Sequence, residues 1–324
     1  MDTYVHCALM NYERGGLTEP VDTGLICGRG HWDLTGLRDS FTGMPFAPDL
    51  IVICEAKEWE MWGGQGLRAA ARVLGAVFDR PYVPEMGWLP HGKSAPALFY
   101  DPTRLHLDYW GNNDLTVHAD KRNLARVRLR HLPQLQFDVL VDHLPFWSGA
   151  ARLDRAKLVA KLAQSRRKLL WLGDFNAPVS GPHWPQLDWS VSHPVDAYER
   201  AHLLPDGTFA ADNEAMDYLL GRWVQAEYIK SRWVEGERVN GIGFHAIPEL
   251  AWRQGMPADK ALLPTTNDNI LAGGGLLIDF GVLNDAWAGG LVPDSFHIDV
   301  PPGTTRADYP SDHRRTGWIL DAAE

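Results

Sequence analysis

The stretch "KLLWLGDFNAP", residues 168–178, carries an apolar run from Leu169 to Leu172 into Gly173, then delivers Asp174 and Asn176 around Phe175. A short apolar run bounded by turn residues reads as a buried strand. Residues two apart in an extended chain share a face. Asp174 and Asn176 are therefore expected to leave on one side, with Phe175 turned inward as an anchor. Taken alone, a Gly-Asp pair at a strand end is a turn. Repetition changes that reading.

The same break recurs along the chain. "LIVICEAK" ends an apolar strand at Glu55, and "VLVDHLP" closes one at His143. "LLIDFGV" sets Asp279 between Ile278 and Phe280, where a buried carboxylate needs a partner. "YPSDHRRTGWIL" places Asp312 and His313 before the last strand, and Asn11 follows the first in "ALMNYERGG". Singly, these are a cap, a core histidine and surface acids. Together they bring Asn, Glu, Asp and His to strand tips, which lie close together in one sheet. Such an oxygen-rich set suits a hard cation, Mg²⁺ or Mn²⁺, rather than Zn²⁺, and His plus Asp beside it equips a site for phosphoryl chemistry.

The 324 residues are 45% hydrophobic and 22% charged, enough for a sizeable core and unlike a disordered chain. A net charge of −10 argues against a protein that grips long duplexes through a basic face. Cys7, Cys27 and Cys54 lack metal-ligand spacing and read as free thiols in a reducing compartment. No signal peptide and no run approaching the ~18 apolar residues of a membrane span is visible. The expectation is a cytoplasmic protein with no protein partner inferred.

Strands are expected at 3–10, 49–54, 96–100, 104–110, 125–131, 137–144, 168–174, 276–283 and 315–320. Helices are expected at 66–78 and at 148–165, where Ser148 can cap and Leu158 and Leu162 form an apolar pair. The stretch 179–275 is the least regular, with one helix near 212–226. It reads as an elaborated loop region within a single domain spanning 1–324. Many strands with few helices between them indicate an α/β (α+β) sandwich rather than a simple βαβ alternation.

The order Asn11, Glu55, His143, "GDFN" at 173–176, "ID" at 278–279 and "SDH" at 311–313 resembles the endonuclease/exonuclease/phosphatase (DNase I-like) superfamily, from the first strand to the last. The resemblance implies a four-layer αββα sandwich, two packed mixed sheets flanked by helices, with the site at one rim. It also implies roles. Glu55, with Asn11 and Asp312, would hold Mg²⁺ (or Mn²⁺), and Asp174 would orient or deprotonate water. Asn176 would bind the phosphate, and His143 and His313 would contact it, with Asp279 setting the tautomer of His313. Two departures stand out: Cys54 occupies the place before Glu55 where the family has Gln, and Asp217-Tyr218 rivals Asp279 as the partner of His313.

Substrate class rests on weaker signals. Arg126, Arg128 and Arg130 alternate with Val127 and Leu129, so they form either a phosphate track or a solvated sheet face. Trp59, Trp62, Trp88, His91 and Trp147 could stack bases or simply pack. Arg126, Arg128, Arg130 and His91 are the candidate substrate contacts. The expected activity is metal-dependent hydrolysis of a phosphodiester, foremost in nucleic acid. A small-molecule or lipid phosphoester is the alternative, and a non-catalytic binding module the third reading.

Overall fold

The computed structural model describes residues 2–18, 32–89, 94–111, 121–266, 273–299 and 311–324. Sixteen strands are found among them. They are β1 (Tyr4–Asn11), β2 (Leu50–Cys54), β3 (Val83–Met86), β4 (Ala97–Tyr100), β5 (Leu105–Trp110), β6 (Leu124–Leu129), β7 (Gln136–His143) and β8 (Leu169–Asp174), then β9 (Ala201–Leu203), β10 (Phe209–Ala211), β11 (Arg222–Ile229), β12 (Arg232–Val239), β13 (Phe244–Ala246), β14 (Asp279–Asn284), β15 (His297–Ile298) and β16 (Thr316–Asp321). The helices are α1 (Thr35–Phe41), α2 (Met61–Phe78), α3 (Gly149–Ala163), α4 (Pro194–Arg200), α5 (Glu214–Leu220), α6 (Ile247–Arg253) and α7 (Ala258–Ala261).

Two six-stranded mixed sheets carry the architecture, in the orders β15-β16-β1-β2-β4-β3 and β13-β14-β8-β7-β6-β5. Side-chain alternation explains the layering. On β1 and β2, Val5, Cys7, Leu9, Leu50, Val52 and Cys54 join the core between the sheets. The intervening Ala8, Met10, Ile51 and Ile53 pack on α1 and α2 through Leu37, Phe41, Ala70 and Leu74. The second sheet repeats this, its outer face covered by Ala156, Val159 and Ala163 of α3 and Met216 and Leu219 of α5. A sheet apolar on both faces needs cover on both, and the result is the expected αββα sandwich. No helix of the described residues is long and apolar enough to cross a membrane.

Topology then fixes the rim. β1 and β2 run parallel, as do β7 and β8, so Asn11, Glu55, His143 and Asp174 emerge at strand ends. β14 and β16 run antiparallel to β8 and β1, so they start at that same rim, with Asp279 opposite Asp174 and Thr316 opposite Leu9.

Three expectations need correction. The 276–283 strand starts only at Asp279, because Leu276 and Ile278 bond instead to Thr265 (Leu276 O accepts from Thr265 N at 2.9 Å). Helix α3 is capped by Ser148, whose Oγ accepts from Ala151 N at 3.2 Å, but it buries Arg152, Ala156, Val159 and Ala163, while Leu158 is exposed. The 179–275 stretch is not loop: it holds α4–α7 and β9–β13. Its 212–226 helix stops at Leu220, because Gly221 turns to φ +94, and a Cβ there would sit 2.8 Å from the Val239 carbonyl. The β11–β12 hairpin that follows turns at Lys230-Ser231, both at positive φ. That turn lacks the Asn-Gly or Asp-Gly signature by which hairpins are read from sequence.

Candidate active site

Register places the key side chains on one face. Leu170 and Leu172 of β8 fill the layer between the sheets, and Asp174 continues their alternation into it. His143 pairs with Asp174 across β7–β8 and Asp279 across β8–β14, so all three share that face at the rim. Gly173 permits this. A Cβ there would fall on the Asp142 carbonyl oxygen, well inside van der Waals contact, so β7 and β8 could not approach as they do.

Extended-chain alternation fails one step later. Asn176 has φ +49, its N–H donates to Asp174 Oδ1 at 2.8 Å and its Nδ2 donates to the Leu144 carbonyl at 3.0 Å. The carboxamide therefore braces the turn instead of standing beside Asp174 as a second outward group. Phe175 does anchor, buried between Trp171 and Phe280 with ring centroids at 5.2 and 4.8 Å.

Asp174 is buried, with the imidazoles of His143 and His313 within 4.0 Å of its Oδ2 and the Asp279 carboxylate opposite it in the β8–β14 ladder. Asn11 Nδ2 donates to its Oδ2 at 2.9 Å and also reaches Glu55 Oε1 at 3.2 Å, joining two carboxylates from different sheets. Burial and the adjacent Asp279 charge push the Asp174 carboxyl up to about 6, against the pull of His313 and His143. His313 Nδ1 bonds Asp279 Oδ2 at 2.7 Å and lies 4.0 Å from Asp174 Oδ2. Burial disfavours the charged ring, but the Asp279 carboxylate outweighs it and raises His313 to about 10. The ring is thus held as imidazolium, with Nε2 left to donate elsewhere. His143 Nε2 lies 3.6 Å from Asp174 Oδ2, a spacing for a charge contact or a bridging water rather than a direct bond.

The rival, Asp217 on α5, accepts from Ser180 Oγ and is not part of this group. Asp279 partners His313, as expected. Cys54 links the sheets: its Sγ donates to the Asp142 carbonyl at 3.4 Å and accepts from Asp174 N at 3.3 Å. Burial, then the Asp174 charge, pushes this thiol well above its usual range, so it stays protonated.

A cation is tested by the donors present. Asn11 Oδ1 is buried without a hydrogen-bond partner among the described residues, and the Glu55 carboxylate lies beside that amide. Hard oxygen donors with one unsatisfied fit Mg²⁺ or Mn²⁺. Asp312, half-buried, stands at the same rim with its Oδ1 3.3 Å from Ser311 Oγ. Asp174, Asp279 and His313 also offer atoms within 4.8 Å of one another. The protonated Nδ1 of His313 has no lone pair to give, however, so that trio reads as an acid–base group.

Several positioning residues carry no clear sequence signal. Ser311 Oγ donates to the Asn11 carbonyl at 2.8 Å and so ties the "SDH" segment to β1. The buried Thr265 Oγ1 accepts from Asp279 N at 3.1 Å, and the Arg200 guanidinium reaches Asn176 Oδ1 at 3.4 Å. "SDH" itself is the only hint of the first.

The substrate candidates fare differently. Arg126 bonds Asp138 at 3.1 Å and Arg128 pairs with Asp108 at 3.2 Å, while Arg130 donates to the carbonyls of Pro102 and Leu105. Arg126 and Arg128 lie opposite Asp138 and Gln136, five and seven residues before His143 on β7. At ~3.3 Å per residue that is roughly 16 to 23 Å from the rim, so the structure does not bring them to the site. Trp59 is core, its indole N–H bound to the Gly15 carbonyl at 2.9 Å. His91 lies outside the described residues.

No protein-family model matches the sequence, and no curated protein matches it. The fold is shared with solved structures along nearly the whole chain. An AP endonuclease from Archaeoglobus fulgidus is 12% identical over 98% of this chain and 99% of its own, with a TM-score of 0.53. D. rerio TDP2 complexed with single strand DNA product is 13% identical over 98% and 99%, at 0.53. A variant of the 3′ phosphatase NExo from Neisseria, bound to product DNA hairpin, is 13% identical over 98% and 99%, at 0.51. The fold is that of the endonuclease/exonuclease/phosphatase proteins, as the motifs led us to expect.

Proposed function

We propose that this chain, with the DNase I-like fold and an acid–base group at its rim, is a divalent-metal-dependent phosphoesterase that hydrolyses a phosphodiester in nucleic acid. The observation that carries it is the chain of contacts Asp279–His313–Asp174–Asn11, two buried carboxylates held on either side of an imidazolium. Above about 6 the Asp174 carboxylate is ionised and accepts a proton from a water attacking phosphorus. His313, protonated to about 10, donates from Nε2 toward the phosphoryl oxygens as charge builds there. The new P–O bond forms from water, the P–O bond to the leaving group breaks, and the leaving oxygen takes up a proton. Asn11, Glu55 and Asp312 would hold Mg²⁺ or Mn²⁺, which supplies positive charge to the phosphoryl oxygens. Asn176 supports the turn and keeps one amide hydrogen for the phosphate, and His143 faces it from β7.

DNA in two of the similar structures supports the nucleic-acid substrate. The pairing of Arg126 and Arg128 with acids, together with the net charge of −10, favours a short or small substrate as the second reading. The buried free thiols of Cys7 and Cys54 suit a reducing compartment such as the cytoplasm.

The test is a substrate panel with Mg²⁺. Plasmid nicking and trimming of end-labelled oligonucleotides are set against phosphate release from inositol phosphates and sphingomyelin. Nucleic-acid cleavage that EDTA abolishes and Mg²⁺ restores is expected. Turnover of a small phosphoester with intact DNA and RNA would select the second reading. Activity retained in Asp174→Ala would sink the assignment of the site.

A further inference from the structure

Beside His143 the rim opens into a cleft of about 530 Å³, within the roughly 300–1,000 Å³ typical of small-ligand sites. One wall gathers three large apolar side chains that the fold leaves in water: Trp147 and Leu158, each 49% exposed, and Phe146, 45% exposed. Clustered exposed apolar groups cost free energy and mark binding sites.

This wall is not a loose loop. The fully buried Arg152 donates from Nη1 to the carbonyls of Pro145 and Phe146 at 3.1 and 3.0 Å. The Ser148 cap starts α3 one residue after Trp147. The Phe146 and Trp147 rings meet edge to face at 5.2 Å. The facing wall is equally fixed. Asn123 accepts from Trp88 N at 2.7 Å and donates to Trp88 O at 2.9 Å, while the Arg122 guanidinium lies 4.0 Å above the Trp88 ring. The backbone of both linings is thus fixed, which holds Phe146 and Trp147 at the cleft with nearly half of their surface exposed to a ligand, while one face of Trp88 is already taken by Arg122.

We propose that this cleft is a stacking subsite for one nucleobase of the substrate, next to the phosphate handled by His143. The assignment rests on the phosphoesterase reading for the place of the phosphate. A flat π-face between aromatic walls with a guanidinium alongside suits a base attached to a phosphodiester. A bare sugar phosphate would leave the rings exposed.

Binding is read in EDTA, without turnover, by fluorescence titration. The probes are a tetranucleotide, the same tetranucleotide with an abasic site at each position in turn, thymidine monophosphate, ribose 5-phosphate and dodecyl phosphate. The intact tetranucleotide is expected to bind about 10-fold tighter than the version abasic at one particular position. Trp147→Ala removes that preference, Trp147→Phe keeps most of it, and both variants melt as the wild type does. Thymidine monophosphate outbinding ribose 5-phosphate supports the subsite for free nucleotides, and the tetranucleotide arm does so for a chain. Equal binding of abasic and intact probes, a preference surviving Trp147→Ala, or binding of dodecyl phosphate alone overturns the proposal. A base preference in a protein that hydrolyses no phosphoester counts against the phosphoesterase reading and leaves the subsite standing.

Discussion

Asp174 and Asp279 stand directly opposite one another in the β8–β14 ladder, both buried and on the same face. Like charges opposed across a ladder are destabilising, and burial adds to that cost. His313 offsets it from a third segment, bonded to one carboxylate and 4.0 Å from the other. The opposed pair raises the Asp174 carboxyl to about 6, so that it is a base with appreciable proton affinity near neutral pH, and keeps the His313 imidazole protonated, a pairing that acid–base hydrolysis uses.

Asp279→Asn removes the charge that holds His313 up. The His313 titration, followed by NMR of the imidazole protons, is expected to fall from about 10 toward the ordinary 6.5. Hydrolysis at pH 8 should drop by about 100-fold or more. A titration that stays near 10 would show that Asp279 does not set the charge of His313.

Asp174→Asn separates activity from stability. The variant should lose hydrolysis while gaining stability at pH 7.5, because it no longer buries an ionised carboxylate opposite Asp279. Moving a carboxyl from 3.8 to about 6 corresponds to about 3 kcal/mol. This is the upper size of the gain in chemical denaturation. Asn11 can turn its Oδ1 to the new amide, so the packing survives.

Rate against pH should rise through about 6 as Asp174 ionises and fall toward 10 as His313 loses its proton. Added Mg²⁺ moves the acid limb to lower pH. Stability carries a linked signature. Both groups are raised in the fold, so each binds protons more tightly there than in the unfolded chain. The Asp174 contribution is present below 3.8 and lost as pH rises through about 6. That of His313 is present below 6.5 and lost through about 10. Thermal unfolding from pH 6.5 to 10 should therefore decline more steeply for the wild type than for His313→Gln. Equal slopes would refute the charge state assigned to His313.

Gly173→Ala tests the close approach of β7 and β8. The added Cβ would collide with the Asp142 carbonyl oxygen, a backbone atom that no side-chain motion can move aside. A loss of about 3 kcal/mol or more in urea unfolding is expected, with activity falling as Asp174 is displaced from His143. A wild-type-like variant would mean that the two strands are not held as described.

The core of the fold was legible in local pattern. The nine expected strands all exist within a few residues, because the central strands β1, β2, β7, β8 and β14 are apolar runs buried along nearly their whole length. The tips of those strands named Asn11, Glu55, His143, Asp174, Asp279 and His313, since polar residues that end apolar runs are conspicuous in a sequence. The 179–275 region was not legible. Its short strands and helices are set by tertiary pairing, and its hairpin turns at Lys230-Ser231 without a glycine. Arg126, Arg128 and Arg130 show the reverse failure. Their alternation was visible, but not the acids and carbonyls that take up their guanidiniums.

The sequence by itself determined which residues could do the chemistry and that strands would carry them, because both follow from residue type and period. Only the tertiary structure decided that the Asp174 carboxylate lies between a carboxylate and an imidazolium, and that Asn176 braces a turn. It also decided which aromatic rings face water. Those facts depend on register between strands over a hundred residues apart, where charge, burial and a glycine's missing Cβ act together.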